Sequence, residues 1–481
     1  MPMRESLLYI DGEWRHAAGG RSYPIHNPAT GEVVARAAHA AIEDLDLALG
    51  AAARGFEIWR KVSPYDRAAV IRRAVDLIRE RRDDISALLT MEQGKTLSEA
   101  SGELGVCLAN LEWMAEEATR GYGRVLASRA PDVRQHLIKQ PIGPVAAFSP
   151  WNFPAQTPGR KIGGALAAGC SIILKPAEET PLTAAELVRA FHDAGLPKGV
   201  LNLVHGVPSE ISTHLIRSPV IRKISFTGST AVGKQLLALA AEGVKRATME
   251  LGGHSPVVVF DDADPVGAAH MAVAAKSRNA GQVCTSPTRF YVQRGIYEAF
   301  RDAFVAKARD LRVGPGDDPA SQMGPLANAR RITTMEGMIA DAVKRGARLL
   351  TGGSRIDRPG YFFEMTVLEN VPADALAKVE EPFGPLSLIE PFDSFEEVVK
   401  AVNDTPYGLA AYAITNLSSR ATAMAEAFDA GVIAINNYSV STPASPLGGV
   451  KESGYGFEGG AEGLDAYLIT KSIMHRMEGL Q

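Results

Sequence analysis

Short apolar runs alternate with helix-like segments between residues 145 and 243, and this alternation limits the folds open to the chain. Each apolar run is three to five residues long, and Gly169, Gly195 and Gly243 stand where the intervening helices would end. Such alternation is typical of βαβ units in a parallel sheet. The predicted strands are 145–148, 171–174, 200–204 and 224–226, and the predicted helices are 160–168, 183–194 and 229–241.

A second α/β region is predicted to begin near Ser255 and to continue to about residue 432. Residues 7–37 have a strand-like pattern, 42–120 have the periodicity of helices, and 121–140 and 466–475 are predicted to be extended. Because 481 residues exceed the about 100–200 residues of a usual domain, we expect an α/β protein with two large lobes.

Composition and charge exclude several classes of protein. A net charge of −4 argues against a nucleic-acid partner. The apolar run at 7–10 is too short for a signal peptide, and no run is long enough to span a membrane. The three cysteines predict neither a disulfide framework nor a zinc site, so we expect a cytoplasmic protein that needs no metal.

One cysteine has a context that suits a nucleophile. Cys284 lies in a polar, glycine-containing segment, 279–286, whereas Cys107 lies in a helical pattern and Cys170 adjoins a strand. The latter two are expected to be buried small residues. Glu250 lies 34 residues before Cys284 and is followed closely by two glycines. A thiol and a carboxylate base are the minimum for covalent chemistry at a carbonyl group.

Two glycine-rich motifs are misleading. Gly454 to Gly459 fits the pattern GxGxxG, but it follows no strand, so we predict a loop. Gly228 to Lys234 fits the start of a P-loop, but Gln235 replaces the Ser or Thr that binds Mg²⁺. Gly228 and Ser229 still follow a predicted strand and begin a helix. Their context is equally compatible with phosphate binding and with simple capping by Ser229.

Several other polar residues have ordinary explanations when each is taken alone. Lys175 and Glu178 follow a predicted strand and are compatible with a simple surface ion pair. Asn152, between aromatic residues and a proline, is compatible with a turn. Glu381 and Phe383 lie in a Pro/Gly-rich segment that is compatible with a rigid loop.

Taken in order, however, six motifs resemble those of the aldehyde dehydrogenase superfamily, and the resemblance covers nearly the whole chain. They are Pro150-Trp151-Asn152-Phe153-Pro154, Lys175-Pro176-Ala177-Glu178, Phe226-Thr227-Gly228-Ser229, Met249-Glu250-Leu251-Gly252-Gly253, Gly281-Gln282-Val283-Cys284 and Glu381-Pro382-Phe383-Gly384-Pro385. The ending, 446–454, also matches, except that Leu447 stands where phenylalanine is usual and the shape of the substrate pocket is therefore less certain.

The resemblance implies a role for each motif. Cys284 is the implied nucleophile, Glu250 the base that activates water, and Asn152 the donor that stabilises the oxyanion. A carboxylate such as Glu178 accepts hydrogen bonds from ribose and repels a 2′-phosphate, so NAD is favoured over NADP. The residues implied to bind this cofactor are Trp151, Lys175, Glu178, Gly228, Ser229, Glu381 and Phe383.

The resemblance also implies an aldehyde dehydrogenase-like domain organisation. It consists of an NAD-binding domain (1–120 and 141–251), a catalytic domain (252–445) and an oligomerisation arm (121–140 and 464–481). Because unpaired strand edges favour pairing between subunits, we expect a homodimer or homotetramer.

Within this superfamily, the sequence resembles bacterial NAD-dependent succinate-semialdehyde and α-ketoglutarate-semialdehyde dehydrogenases. Arg160 and Arg278 match arginines that hold the distal carboxylate of the substrate in such enzymes. Taken alone, Arg160 is compatible with a surface position, because Lys161 follows it, and Arg278 with a helix cap. Weaker candidates for substrate contact are Ser441, Thr442 and Gln156.

Other functions remain open at this point. The chain could oxidise a different aldehyde or many aldehydes, or it could pass its thioester to coenzyme A. A structural protein derived from the same fold is disfavoured, because Cys284, Glu250 and Asn152 are all present. A thiol hydrolase that needs no cofactor is the last alternative.

Overall fold

Two large sheets organise the chain, of which this computed structural model describes residues 4–477. Residues 1–3 and 478–481, at the outer ends of the expected NAD-binding domain and arm, lie outside the described residues. The strands are β1 (Arg4–Ser6), β2 (Leu8–Ile10), β3 (Glu13–Arg15), β4 (Ser22–His26), β5 (Val33–Ala38), β6 (Arg124–Leu126), β7 (Val133–Pro141), β8 (Val145–Phe148), β9 (Ile172–Lys175), β10 (Leu201–Leu203), β11 (Lys223–Thr227), β12 (Arg246–Glu250), β13 (Ser255–Val259), β14 (Pro287–Gln293), β15 (Arg348–Thr351), β16 (Thr366–Glu369), β17 (Leu386–Phe392), β18 (Ala410–Ile414), β19 (Val432–Ile435), β20 (Gly454–Tyr455) and β21 (Leu468–Arg476).

Helices cover these sheets, and none of those described has the length and apolar content needed to cross a membrane. The helices are α1 (Ile42–Trp59), α2 (Pro64–Glu80), α3 (Arg82–Gln93), α4 (Leu97–Glu117), α5 (Gln156–Ala168), α6 (Pro181–Asp193), α7 (Pro208–Arg217), α8 (Thr230–Glu242), α9 (Pro265–Ser277), α10 (Tyr297–Arg309), α11 (Ala329–Lys344), α12 (Leu376–Val379), α13 (Phe395–Asn403), α14 (Ser418–Ala427) and α15 (Gly460–Asp465).

The first sheet has eight strands in the order β20-β12-β11-β8-β9-β10-β2-β3. Its five central strands, from β12 to β10, are parallel, as predicted, whereas β20, β2 and β3 are antiparallel additions at its edges. Alternate residues of β8 enter different cores: Val145 and Ala147 pack on one face, Ala146 and Phe148 on the other. Burial on both faces explains why this strand is apolar throughout.

The second sheet has seven strands in the order β15-β16-β17-β14-β13-β18-β19, and only β15 pairs in the antiparallel direction. It too is buried on both faces: Val257 and Val259 of β13 belong to one core and Val258 to the other. The α/β fold with two mainly parallel sheets is therefore confirmed.

A small sheet, β21-β7-β6, stands apart from the two large ones. The pairing of β7 with β21 extends over nine residues, from Leu468 opposite Pro141 to Arg476 opposite Val133. The extended character predicted for 121–140 and 466–475 is confirmed. A further three-stranded sheet, β1-β5-β4, lies near the start of the chain.

Two helices differ from the sequence-based expectation. Helix α5 begins at Gln156, not at residue 160 as predicted. The prediction missed its first turn because Pro158 and Gly159 lie there, and both residues are unusual within helices. Gly159 is required there, since a Cβ atom would lie 2.4 Å from the sulfur of Cys107 on α4. Helix α7 was not predicted. It starts with proline at its first position, which marks helix starts as well as turns.

Candidate active site

The polar motifs converge at the carboxyl edge of the first sheet. In its parallel register, Phe148 of β8 lies opposite Lys175 of β9, and Thr227 of β11 lies opposite Glu250 of β12. Asn152 follows β8 by four residues. Ligands of open α/β sheets bind at this edge. The fold therefore brings five of these residues to the carboxyl edge of the sheet: Asn152, Lys175, Gly228, Ser229 and Glu250.

The Cys284 loop closes this edge from the second sheet. Residues Asn279, Ala280 and Gly281 have φ angles of 49°, 52° and 71°, so three successive residues are left-handed before the thiol. A Cβ atom on Gly253 would lie 2.4 Å from the carbonyl oxygen of Cys284. Gly253, three residues after Glu250, thus allows the end of β12 and the loop that carries Cys284 to approach each other.

Burial and nearby carboxylates keep the thiol protonated. The pKa of Cys284 is raised from its ordinary value to about 12, mainly by burial and then by the charges of Glu381 and Glu250, whereas Arg160 and Arg278 act in the opposite direction. Cys284 as a residue is partly exposed, whereas Cys107 and Cys170 are fully buried. The expectation of burial for those two cysteines is confirmed.

Glu250 is a buried carboxylate whose two oxygens have no hydrogen-bond partner among the described residues. Burial raises its pKa well above the ordinary value, and the charge of Glu458 raises it further, while Lys161 and Arg160 lower it. Lys161 and Glu458 form a buried ion pair of 2.6 Å. Such a carboxylate has the free lone pairs and the raised proton affinity of a general base.

The side-chain amide of Asn152 reaches from the loop after β8 to the loop that carries Cys284. Its Nδ2 donates to the carbonyl of Gln282 at 3.0 Å, which leaves its second N–H without an assigned partner. The backbone carbonyl of Asn152 accepts from Lys95 Nζ and from Asn279 Nδ2, both at 2.9 Å. The amide is therefore fixed beside the backbone that leads to Cys284.

A cavity of about 810 Å³ connects the thiol with the sheet edge. Its lining includes Trp151, Asn152, Gly228, Ser229, Glu250, Cys284, Glu381 and Phe383. Eight of the predicted cofactor and catalytic residues are thus brought together. Lys175 and Glu178 do not line this cavity, nor do Arg160, Arg278, Ser441 and Thr442.

One end of the cavity has the features of a dinucleotide site. Ser229 caps α8, and its hydroxyl accepts from Val232, while the start of this helix faces the cavity. Glu381 accepts from the amide of Gly253 at 3.0 Å, and burial raises its pKa to about 7. The ring of Phe383 packs edge-on against Trp151 at 5.4 Å. A helix start, a carboxylate and an aromatic ring are groups that could hold the phosphate, the ribose and the planar ring of a dinucleotide.

Lys175 and Glu178 form a loose contact. Lys175 Nζ lies 3.8 Å from Glu178 and donates to the carbonyl of Pro176 at 2.9 Å. The Glu178 side chain is 42% exposed, so its carboxylate is open to a ligand. The adjacent Glu179 is engaged instead by Arg330 at 2.6 Å.

The structure brings Arg160 and Ser441 into contact and buries the former. Arg160 is 6% exposed, so the alternative of a surface position is wrong, and its Nη2 donates to Ser441 Oγ at 2.5 Å. Arg278 lies over the Phe153 ring, 5.6 Å from its centre. Neither arginine has a carboxylate within 4.0 Å among residues 4–477. Thr442 is exposed.

Sequence reasoning missed several polar residues of the site. Lys161 was considered only as a hint that Arg160 is exposed, whereas it is itself fully buried and paired with Glu458. Lys95 and Glu103, from a region expected only to be helical, lie behind Asn152. A charged residue within the small-residue pattern of α5 was the one available sign for Lys161.

Comparison with known proteins gives the class. The sequence model of the aldehyde dehydrogenase family matches residues 14–473. The chain belongs to this family and is an aldehyde-oxidising oxidoreductase. Proteins of this kind use NAD or NADP and act on small aldehydes.

Individual relatives agree over almost the full length. The chain is 48% identical to 4-(hydroxymethyl)benzenesulfonate dehydrogenase of Comamonas testosteroni, with 97% of each chain covered. It is 41% identical to succinate-semialdehyde dehydrogenase [NADP(+)] of Escherichia coli, over 98% of this chain and 99% of the relative. The crystal structure of succinate-semialdehyde dehydrogenase from Burkholderia pseudomallei superposes with a TM-score of 0.96 at 43% identity, with 98% of each chain covered.

Proposed function

We propose that this enzyme oxidises an aldehyde that carries a distal acid group, first of all a dicarboxylic semialdehyde such as succinate or α-ketoglutarate semialdehyde. The observation that carries the proposal is the pair Arg160 and Arg278, whose charges act on the Cys284 thiol without a carboxylate partner among the described residues. A guanidinium binds a carboxylate through two parallel hydrogen bonds. Arg160 Nε is buried and unpartnered, which leaves it free for this purpose.

In the proposed reaction, Cys284 releases its proton to solvent and its thiolate sulfur attacks the aldehyde carbon. The alkoxide formed is stabilised by the free N–H of Asn152 and by the backbone amide of Cys284. NAD(P)⁺, when bound in the cavity, supplies the acceptor for the hydride that leaves this carbon. Glu250 then takes a proton from water, which attacks the Cys284 thioester, releases the carboxylic acid and restores the thiol.

The substrate proposal is tested by NADH formation with succinate semialdehyde, α-ketoglutarate semialdehyde, glutarate semialdehyde, propanal and benzaldehyde. In Arg160→Gln and Arg278→Gln, kcat/KM is expected to fall by about 10²-fold for the acidic aldehydes and to change little for propanal, as one charged hydrogen bond would predict. Arg73→Gln is the matched control, because Arg73 donates only to the Ala194 carbonyl, away from the cavity. An equal loss on propanal would contradict the acid-binding role.

A sulfonated aromatic aldehyde is a second candidate substrate. It is favoured by the 48% identity to the benzenesulfonate dehydrogenase. A sulfonate is also an anion that a guanidinium binds in a bidentate manner. 4-Formylbenzenesulfonate should therefore be assayed in the same panel. If its kcat/KM is higher than those of the semialdehydes, it replaces them as the proposed substrate.

We propose NAD rather than NADP as the preferred cofactor. Support comes from the exposed carboxylate of Glu178, which would repel a 2′-phosphate, with Lys175 beside it. Trp151, Gly228, Ser229, Glu381 and Phe383 are proposed to bind the rest of the dinucleotide. The kcat/KM ratio for the two cofactors measures the preference, and Glu178→Gln is expected to shift it toward NADP by about tenfold, the effect of one lost charge contact.

We propose a domain division that the separate sheets support: residues 1–120 and 141–251 form the cofactor domain, 252–445 the catalytic domain, and 121–140 with 464–481 the arm. Strand β20 shows that 454–455 add to the cofactor sheet. The arm exposes Val125 and Met474 at 73% and 72%, which supports a homodimer or homotetramer. Light scattering of the wild type and of Val125→Asp tests this. If Val125 lies in a subunit interface, the variant should form a smaller oligomer than the wild type.

The three free cysteines also support a reducing, cytoplasmic location.

A further inference from the structure

The connection between α3 and α4 places a group of polar side chains beneath both catalytic loops. Gln93, the last residue of α3, and Lys95 in the connection are buried, and Glu99 and Glu103 follow on the first turns of α4. None of them lines the cavity or has a place in the proposed chemistry. Buried charges are costly unless they are paired, so their presence so near the site requires a reason.

Lys95 binds the loop that carries Asn152. It is 1% exposed, and its Nζ contacts Glu103 Oε2 at 2.5 Å and the Asn152 carbonyl at 2.9 Å. The same ammonium lies over the Phe153 ring, 4.2 Å from its centre. A charged donor on the carbonyl of Asn152 fixes the peptide from which its side-chain amide projects.

Glu103 extends this attachment to α5. Its second oxygen, Oε1, accepts from the amides of Ala155 at 2.8 Å and Gln156 at 3.1 Å. These are free amide groups at the start of the helix that carries Arg160. One buried carboxylate therefore holds both Lys95 and the start of α5.

The neighbouring side chains hold the Cys284 loop at the same place. Gln93 Nε2 donates to Asn279 Oδ1 at 2.8 Å, and Glu99 Oε1 accepts from the backbone N–H of Asn279 at 2.7 Å. Asn279 in turn donates to the Asn152 carbonyl at 2.9 Å. Asn279 begins the run of left-handed residues, a conformation that persists only where its surroundings enforce it.

We infer that Lys95, paired with Glu103, is a positioning residue for the oxyanion site: it sets the Asn152 amide against the Cys284 loop by binding the Asn152 carbonyl. The inference rests on the proposed role of Asn152. Lys95 touches neither substrate nor cofactor. It acts on the rate of the chemical steps through Asn152, and it leaves the acidity of the thiol and the binding of the cofactor unchanged.

The test removes the ion pair with uncharged side chains of similar size, in Lys95→Met/Glu103→Gln. We expect kcat to fall by about 10²-fold, as on loss of one oxyanion donor, while KM stays within about threefold. The Kd of NAD⁺ and the rate of Cys284 alkylation by iodoacetamide are expected to match the wild type. The charges with the largest effects on the thiol are those of Glu381, Glu250, Arg160 and Arg278.

A mutant cycle separates positioning from a general loss of structure. Asn152→Ala alone is expected to lower kcat, and addition of the double substitution to Asn152→Ala is expected to lower kcat little further. Losses that multiply would overturn the inference. If Asn152→Ala leaves kcat unchanged, the proposed role of Asn152 fails first; if it lowers kcat while the ion-pair variant does not, only the inference fails.

Two further variants keep the test decisive. Asp262→Asn/Arg420→Gln removes a partly buried ion pair of 3.3 Å away from the cavity, and is expected to leave kcat unchanged. Should the double variant not fold, Lys95→Gln retains a neutral donor. It is then expected to lower kcat less than Asn152→Ala does, without change in the alkylation rate. An alkylation rate that falls together with kcat would contradict a role through Asn152.

Discussion

Lys161 and Glu458 form an ion pair of 2.6 Å that is buried next to the Glu250 carboxylate. The two charges of the pair act on Glu250 in opposite directions: that of Glu458 raises its pKa, and that of Lys161 lowers it. Ser225 and Thr227 on β11 also contact Lys161, which fixes the ammonium from a second side. The proton affinity of the proposed base is therefore set by residues that do not touch the substrate.

Substitution of Glu458 is predicted to shift the pH dependence of turnover. In Glu458→Gln the raising charge is lost and Lys161 keeps its own, so the pKa of Glu250 falls. A base is active above its pKa, and the acidic limb of the kcat profile should move to lower pH. Steady-state kcat from pH 5 to pH 9 measures this. An acidic limb that stays in place, or moves to higher pH, would contradict the proposed coupling.

Removal of the base is predicted to stop the reaction at the thioester. Glu250→Gln retains the size of the side chain but cannot accept a proton from water, so hydrolysis should slow by about 10²–10⁴-fold. Stopped-flow absorbance should then show a burst of about one NADH per subunit, since the thioester is covalent and accumulates. Cys284→Ser is the control and should give no burst. A Glu250→Gln variant with normal steady-state turnover would disprove the assignment of the base.

The sequence predicted those parts of the site that depend on neighbours along the chain. Gly228 and Ser229 could be placed because a strand ends and a helix begins there, and Glu250 because it ends a strand. The partners of these residues could not be placed, since Lys161 and Glu458 are 297 residues apart in the chain. Lys95 was hidden for the same reason: it lies between two helices, 57 residues before Asn152, and the sequence does not show which loop its ammonium reaches.

The free thiol is predicted to react slowly at neutral pH. Because its pKa is raised to about 12 by burial and by Glu381 and Glu250, only the small thiolate fraction reacts, and the rate should rise about tenfold per pH unit from pH 7 to pH 9. Glu381→Gln removes one raising charge and should speed alkylation at pH 8. Glu380→Gln, at the exposed neighbouring residue, should have a smaller effect. Mass spectrometry of Cys284 after iodoacetamide provides the rates, and a plateau below pH 9 would show that the thiol is more acidic.

Lys276 provides a prediction for stability. This fully buried lysine at the end of α9 donates to Ser286 and Thr288 at 3.2 Å each and has no carboxylate within 4.0 Å among residues 4–477. Burial lowers its pKa to about 7, against the opposing effect of Glu381, whereas an unfolded lysine titrates at about 10.4. Between these values the unfolded state binds more protons, so stability rises with pH across this window, and the full destabilisation is present below about pH 7.

Lys276→Met is therefore predicted to raise the melting temperature at pH 6, by about 1 °C for each kcal/mol gained in a chain of 481 residues, and to lose most of this gain by pH 10. The reason is that methionine has no charge to bury, whereas at pH 10 the folded wild type holds a neutral amine as well. Scanning calorimetry at both pH values measures the difference, with exposed Lys61→Met as the control that should show no such dependence. A gain that is the same at pH 6 and pH 10, or larger at pH 10, would mean that the penalty of the buried ammonium is not what limits stability at this position.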